Sequence, residues 1–292
     1  MKYSPKKIIS KIKKRYQERQ DFRQLRNALK KNNILFNSKK GGICFILGNG
    51  PSINNQNLTL LADKETFVMN NFWRHPQYKT ICPKYFLAGE LSSYAQNKLP
   101  EVGGVNLPKS DEVISQVPET KLFFNSVAKN FIEQNNLFLK NPVFYVLEQG
   151  FMDEKLHFNI DITKPIPFPK NSAVLALILA IYMGFETVYL LGCEHDFLAY
   201  PAKKSYAGFR FFYDNPRNSS SNEPEIPLYQ DAYYENMIES CLKLFRNYRL
   251  LAEKVAKLYP NVKIYNATPN SFLDVFPMIN FEDIEMVSKP FL

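Results

Sequence analysis

The triplet Glu194-His195-Asp196 places two carboxyl groups and an imidazole in three consecutive residues. It follows the apolar run Thr187–Leu191 and Gly192, which we interpret as a buried strand ending in a glycine turn. Because an imidazole titrates near neutral pH, His195 is the best candidate for a general base, and we expect the flanking carboxylates to raise its pKa. Asp196 is the next candidate, and Glu194 completes the predicted catalytic group.

The same carboxylates support a second hypothesis. Glu194 and Asp196 form an acid-x-acid pair at a strand end, which can hold Mg²⁺ or Mn²⁺ beside a nucleotide diphosphate. Under this alternative the chain is a metal-dependent nucleotide-diphosphate transferase or a diphosphokinase. A purely structural alternative, in which both carboxylates cap a loop, also stays open.

A glycine-rich loop, Gly48-Asn49-Gly50-Pro51-Ser52, follows the apolar run Ile43–Leu47. Loops of this kind in α/β proteins bind phosphate, because glycine lets the backbone approach a ligand, and Ser52 can cap the next helix. The loop matches neither GxGxxG nor GxxxxGK[ST], so it indicates neither a dinucleotide nor a P-loop triphosphate site. A tight strand-to-helix turn is the structural alternative.

Three more polar clusters fall at predicted strand ends or helix starts. They are Asn70-Asn71, Asn171-Ser172 and Asn270-Ser271. Each cluster alone suits a turn or a helix cap. Parallel strands end at one edge of a sheet, however, so their coincidence indicates a ligand site at that edge, where Asn amides can bind base and ribose.

Strands and helices alternate after residue 41, which predicts an α/β fold. We expect a single Rossmann-like domain with a mostly parallel sheet over residues 41–292. The predicted strands are 43–47, 66–69, 85–88, 143–147, 187–191 and 262–265, and the predicted helices are 172–183 and 233–259. Residues 198–230 are rich in Tyr, Pro, Ser and Asn without periodicity, which predicts a lid.

The positive charge of the chain is concentrated at its start. Residues 1–40 hold 14 Lys/Arg and 2 Asp/Glu, whereas the other 252 residues hold 23 and 26. We predict a basic amphipathic helix over residues 1–40, which lies on an anionic membrane surface or packs against the body or a partner subunit of a homo-oligomer. The mildly acidic body argues against a nucleic-acid partner.

Cysteine spacing and hydropathy indicate a cellular compartment. The four cysteines, at positions 44, 82, 193 and 241, are scattered, which fits reduced thiols in a cytosol. The longest apolar run, Ala173–Met183, is much shorter than the roughly 20 residues of a membrane span. We therefore expect a cytoplasmic protein, peripheral at the inner face of the membrane if the basic helix binds lipid.

Over roughly residues 43–280 the chain resembles the bacterial sialyltransferases of glycosyltransferase family 42, and more weakly the motility-accessory and MptE-like groups. Six short motifs in the same order carry the resemblance. They are Gly48-Asn49-Gly50-Pro51-Ser52, Phe67-Val68-Met69-Asn70-Asn71-Phe72, Asn171-Ser172-Ala173, Leu190-Leu191-Gly192, Ser205-Tyr206-Ala207 and Pro269-Asn270-Ser271-Phe272-Leu273.

This resemblance implies a GT-A-like variant of the fold and an inverting glycosyltransferase. The enzyme would move sialic or another nonulosonic acid from a CMP-activated donor to a glycan acceptor, as in lipooligosaccharide or capsule biosynthesis. It implies that Asn49, Asn70 and Asn71 hold the nucleotide-sugar, Ser172 its carboxylate and Tyr206 its phosphate, with Asn270 and Ser271 near the cytidine. Since CMP leaves with a single phosphate, hydrogen bonds suffice to stabilise its charge, and neither a cofactor nor a dedicated metal is required.

The chain departs from the family at the general base. The family uses a histidine between the lid and the last strand, and this chain has no histidine after His195. Either Glu194 or Asp196 corresponds to the family's Asp after the strand-end glycine. A third hypothesis is therefore a non-catalytic, nucleotide-binding partner in surface-glycan assembly.

Overall fold

The structure, a computed structural model, describes residues 5–88, 101–102, 105–152, 158–199, 211–212 and 234–285. In chain order its elements are α1 (Pro5–Lys30), β1 (Gly42–Leu47), β2 (Thr66–Met69), α2 (Tyr78–Ile81), β3 (Tyr85–Ala88), β4 (Glu101–Val102), β5 (Val105–Asn106), α3 (Leu107–Ile114), β6 (Lys121–Asn125), α4 (Lys129–Gln134), β7 (Val143–Val146), β8 (Glu148–Phe151), β9 (Ile166–Phe168), α5 (Ser172–Met183), β10 (Phe185–Leu191), α6 (Tyr234–Leu258) and β11 (Lys263–Asn266).

Seven strands form one sheet in the order β11-β10-β1-β2-β3-β6-β7, and every neighbouring pair is parallel. The chain builds outward from β1 to β7 and then returns to place β10 on the other side of β1. The strand order therefore reverses between β1 and β10, and open α/β sheets bind ligands at such a switch point. The predicted Rossmann-like fold is confirmed.

The central strands are apolar because helices and turns cover both faces of the sheet. Every residue of β2 and β3 is buried, and so is every residue of α5. The side chain of Asn171 caps α5 by accepting the Val174 N–H at 2.9 Å, and Gly184 ends it with φ of 88°. Both ends of this helix agree with the sequence prediction.

Strand β6 was not predicted from the sequence. Its apolar part, residues 122–124, is only three residues long, so it shows no extended alternation or long apolar run. It becomes a strand because β3 and β7 pair with it on either side. The hairpin of β4 with β5 and the pair of β8 with β9 lie outside the main sheet.

The end of α1 and the turn after it are anchored in the body. Leu29 and Leu35 are buried, and Asn32 Nδ2 donates to the carbonyls of Tyr145 and Ile162 at 2.9 and 2.7 Å. This part of the basic segment therefore packs against the body, which was one of the alternatives. No helix within the described ranges has both the length and the apolar composition of a membrane span.

Candidate functional site

The loops after β1 and β10 lie in contact at the switch point. The Gly48 N–H donates to the Leu191 carbonyl at 2.7 Å, and the Gly50 N–H donates to the Gly192 carbonyl at 3.0 Å. A Cβ on Gly48 would lie 2.3 Å from the Gly192 oxygen, so this approach requires glycine. Two of the polar strand-end segments found in the sequence are thus brought together.

The carboxylate of Glu194 lies over the glycine-rich loop. Its Oε1 accepts the Ser52 N–H at 2.6 Å, and a Cβ on Gly50 would lie 1.5 Å from its Oε2. Gly50 has φ of −67°, so glycine is needed here for space and not for its backbone freedom. The expected Ser52 cap is not formed, because the Glu194 carboxylate occupies the start of the short 3-10 turn Pro51–Asn55.

Three buried polar atoms around this loop have no hydrogen-bond partner among the described residues. They are Asn49 Oδ1, Ser52 Oγ and Glu194 Oε2. Asn49 is oriented from its other end, because its Nδ2 donates to the Met69 carbonyl at 3.2 Å. Since buried polar atoms are nearly always hydrogen-bonded in folded proteins, this group is a candidate position for a bound ligand.

The end of β2 meets the start of α5 through a side-chain hydrogen bond. Ser172 Oγ donates to Asn70 Oδ1 at 3.2 Å. Asn70 has φ of 49°, in the left-handed region that Asn tolerates better than most residues. Asn71 follows in the next turn and is partly exposed. The fold therefore joins the cluster Asn70-Asn71 to the cluster Asn171-Ser172, at the positive end of the α5 dipole.

His195 is enclosed by aromatic side chains. Its Nε2 lies 2.9 Å from Tyr248 Oη, and its ring centroid lies 5.6 Å from that of Phe197 and 6.3 Å from that of Phe245. Burial lowers the pKa of His195 to about 4, because the imidazolium loses its hydration. The prediction that the flanking carboxylates raise the pKa of His195 is therefore wrong, and the imidazole ring is neutral at pH 7.

Tyr248, on α6, connects His195 to the start of α5. Asn171 Nδ2 donates to Tyr248 Oη at 3.1 Å. The Tyr248 hydroxyl donates to His195 Nε2, at 2.9 Å, when His195 carries its proton on Nδ1, and its other acceptor is Asn171 Oδ1 at 3.4 Å. Burial raises the pKa of Tyr248, which keeps that proton in place. Tyr248 was not predicted from the sequence, because its position on the apolar face of a long helix is also typical of a core tyrosine.

The segment after β11 braces the residues that follow β10. Ser271 Oγ donates to the Cys193 carbonyl at 2.6 Å, and the Phe272 N–H donates to the Glu194 carbonyl at 2.7 Å. Asn270 is exposed at the tip of this segment with φ of 55°. Ser271 therefore positions the backbone that carries Glu194. Asp196, also predicted to be catalytic, is buried beside it.

Tyr206 and most of the predicted lid, residues 198–230, lie outside the described residues. Within that segment, the contacts of Phe212 with the glycine-rich loop are defined. Its N–H donates to the Asn49 carbonyl at 2.8 Å, its carbonyl accepts Asn54 Nδ2 at 3.0 Å, and its ring centroid lies 5.1 Å from that of His75. The lid segment thus touches the glycine-rich loop through Phe212.

Within the described part of the chain, no group of three or more His, Cys, Asp or Glu side chains is arranged to hold a metal ion. Glu194 and Asp196 are the acid-x-acid pair considered from the sequence. The contact of this pair with the glycine-rich loop is made by Glu194, whose carboxylate accepts the Ser52 N–H.

Comparisons with protein families and with curated proteins find no match for this chain. Solved structures similar to it include the sialyltransferase CstII from Campylobacter jejuni in complex with a substrate analogue, cytidine-5'-monophosphate, at 15% identity and a TM-score of 0.44, covering 86% of this chain and 88% of that one. Another, of CST-II with a trisaccharide acceptor and CMP, is 13% identical with a TM-score of 0.35, covering 86% of this chain and 89% of the other.

A third similar structure is the MAf glycosyltransferase from Magnetospirillum magneticum AMB-1. It is 11% identical with a TM-score of 0.41, and the match covers 87% of this chain but only 38% of that protein. The sialyltransferase and motility-accessory groups indicated by the sequence motifs are both represented among these structures.

Proposed function

We propose that this chain is a glycosyltransferase that moves an acidic sugar, sialic acid or a related nonulosonic acid, from a CMP-activated donor to a glycan acceptor. The observation that carries the proposal is a group of three buried atoms at the switch point that have no hydrogen-bond partner among the described residues: Asn49 Oδ1, Ser52 Oγ and Glu194 Oε2. The six sequence motifs supply the donor class. Inversion and metal independence follow from that class and belong to the proposal.

Donor binding in this proposal uses the loops after β1 and β2 and the start of α5. Asn49 and Ser52 bind the nucleotide, while Asn70, Asn71 and Ser172 bind the sugar, whose carboxylate is favoured by the N-terminus of α5. The other predicted site residues have three roles.

The loops take their shape from Gly50, Pro51 and Gly192. Neighbouring groups are positioned by Asn171 and Ser271. The phosphate is contacted by Tyr206 and the cytidine by Asn270.

We assign proton removal from the acceptor hydroxyl to Glu194 in place of His195. Glu194 Oε2 has no partner among the described residues, whereas His195 Nε2 is already bonded to Tyr248. A general base must come within hydrogen-bond reach of the proton that it removes. His195 then acts as a positioning residue that anchors the segment after β10, and Asp196 is the alternative base.

A thermal-shift screen of CMP, CDP, UDP, GDP and ATP tests the donor class. A ligand at 100 times its Kd stabilises the native state by about 2.7 kcal/mol, so CMP should raise the Tm clearly and the other nucleotides much less. Asn49→Ala should weaken CMP binding by about 1–3 kcal/mol, because a buried ligand group loses its partner. Asn55→Ala, at the exposed end of the adjacent 3-10 turn Pro51–Asn55, is the matched control.

Turnover separates the three hypotheses of the sequence analysis. Release of CMP from a CMP-sialic acid donor should continue in excess EDTA, which the metal-dependent alternative forbids. Binding of CMP without any turnover would support the non-catalytic alternative. A screen in which no cytidine nucleotide shifts the Tm would contradict the proposal itself.

A further inference from the structure

A cavity of about 600 Å³ lies between α1 and the turn at residues 161–164, apart from the candidate site at the switch point. Its lining is strongly cationic. Five of its lining residues are Arg19, Arg23, Arg26, Lys30 and Lys164. None of these residues belongs to the candidate site at the switch point.

The four α1 cations, Arg19, Arg23, Arg26 and Lys30, share one face of the helix. Their spacing of four, three and four residues places them one above another. None of the four forms an ion pair within the described part of the chain. Like charges so close together repel one another, so an anionic ligand would relieve an unfavourable arrangement.

Among the described residues, the acidic side chains near the cavity form no ion pair with the four α1 cations. Asp161 pairs with Lys164 at 2.9 Å and also accepts the Thr163 N–H at 3.0 Å. These bonds lower the pKa of Asp161, against the opposite effect of its burial, and keep it ionised. On α1 itself, Asp21 accepts Gln17 Nε2 at 2.8 Å, and Glu18 lines an adjoining cavity.

The chemistry of the lining selects the ligand. Arginine guanidinium groups bind phosphate oxygens in a bidentate manner, and three arginines line this cavity. Phe22 and the alkyl stems of the cationic side chains add apolar surface. We propose that this α1 cavity binds a phosphomonoester or diphosphate group that is attached to an apolar body.

The α1 cavity lies apart from the proposed donor site. Gln149, three residues beyond the carboxyl end of β7, donates from Nε2 to the Glu18 carbonyl at 3.0 Å, so this part of α1 lies near the ligand-binding edge of the sheet. Strand β7 is four strands from β1, or about 19 Å at the usual strand spacing. The inference therefore does not depend on the donor chemistry proposed above.

The test uses the full chain with two probes. One probe is phosphatidylcholine vesicles containing phosphatidic acid, measured by co-sedimentation, and the other is inorganic pyrophosphate, measured by calorimetry. The variant Arg23→Ala/Arg26→Ala should weaken binding by about tenfold or more, because two bidentate contacts are lost. The control Lys13→Ala/Lys31→Ala removes the same charge from exposed positions outside the cavity and should bind nearly as the wild type.

Further variants and vesicles distinguish phosphate recognition from misfolding and from a general attraction between opposite charges. Arg23→Lys/Arg26→Lys retains the charge and should still weaken binding, which excludes a loss caused by misfolding or by net charge alone. Binding to the phosphatidic acid vesicles but not to pyrophosphate would identify the ligand as a lipid headgroup. Binding to both probes would show that the cavity recognises the phosphate group itself. Equal weakening by the alanine variant and its control, or equal binding to phosphatidylserine vesicles of the same charge, would overturn the proposal.

Discussion

At the scale of single residues, the proposed role of Glu194 as general base depends on how the glycine-rich loop holds its carboxylate. One of its oxygens is bound to the Ser52 N–H and the other has no partner among the described residues. A side chain held in this way is already oriented before a ligand arrives, which lowers the entropy cost of catalysis.

Glu194→Gln tests whether this oxygen accepts the proton. The amide oxygen can still accept the Ser52 N–H, so the loop should keep its conformation and its affinity for CMP. We expect kcat to fall by about 10²–10⁴, the usual range for a lost general base. The measurement is steady-state turnover beside CMP titration. A kcat within about tenfold of the wild type would transfer the role to Asp196.

The buried His195 makes a separate prediction about pH. Its pKa is lowered from 6.5 to about 4, so between these values the unfolded chain binds a proton that the folded chain excludes. Stability from this group is therefore complete above pH 6.5 and falls as the pH decreases toward 4, by roughly 3 kcal/mol in total. Urea unfolding at several pH values measures it.

The variant His195→Asn isolates this effect from other acid-sensitive groups. Asn tolerates the left-handed φ of 51° at this position and does not titrate. Burial also lowers the pKa of His75, so some acid sensitivity should remain. If the variant lost stability as steeply as the wild type when the pH decreases from 6.5 to 4, the lowered pKa of His195 would be contradicted.

At the scale of elements, the contact between the loops after β1 and β10 determines which glycines are replaceable. Gly50 is crowded by the Glu194 carboxylate and not by the backbone. Its conformation suits any residue, so the cost of a substitution should come from the carboxylate alone. That cost can be removed by a second substitution.

We expect Gly50→Ala to destabilise the protein by about 1–3 kcal/mol, the range for overpacking a tight site. The double variant Gly50→Ala/Glu194→Ala should cost less than the sum of the two single variants, because the clash is gone. Denaturant unfolding of all four proteins completes the double-mutant cycle. Additive losses would show that the Glu194 side chain does not lie against Gly50.

At the scale of the whole molecule, the basic segment is joined to the body by its last turns. Leu29, Asn32 and Leu35 are buried, although composition alone predicted a boundary near residue 40. Deleting residues 1–38 therefore removes core side chains as well as charge, and its effect on stability must be distinguished from its effect on ligand binding.

Two truncations separate these effects. Removal of residues 1–27 keeps Leu29, Asn32 and Leu35, and we expect it to abolish binding to anionic vesicles while CMP binding persists. Removal of residues 1–38 should also lower stability by several kcal/mol, since each buried leucine contributes about 2–5 kcal/mol. Urea unfolding and vesicle co-sedimentation measure the two properties. Equal stability of both truncations would contradict the anchoring role of residues 29–35.

Local sequence patterns predicted the strands β1, β2, β3, β7, β10 and β11, the helices α5 and α6, and both ends of α5. These features depend on neighbouring residues, because apolar runs, helical periodicity and capping act over a few positions. The same local patterns predicted that the polar strand ends would meet at one edge, which the parallel order of the sheet confirms.

The contacts of those polar groups depend on tertiary structure. Glu194 and Ser52 are separated by 142 positions, and His195 and Tyr248 by 53, so no local pattern connects either pair. The sign of the His195 pKa shift likewise depends on the aromatic side chains around it. Desolvation by those distant residues acts against the imidazolium, whereas the adjacent carboxylates in the sequence suggested the reverse.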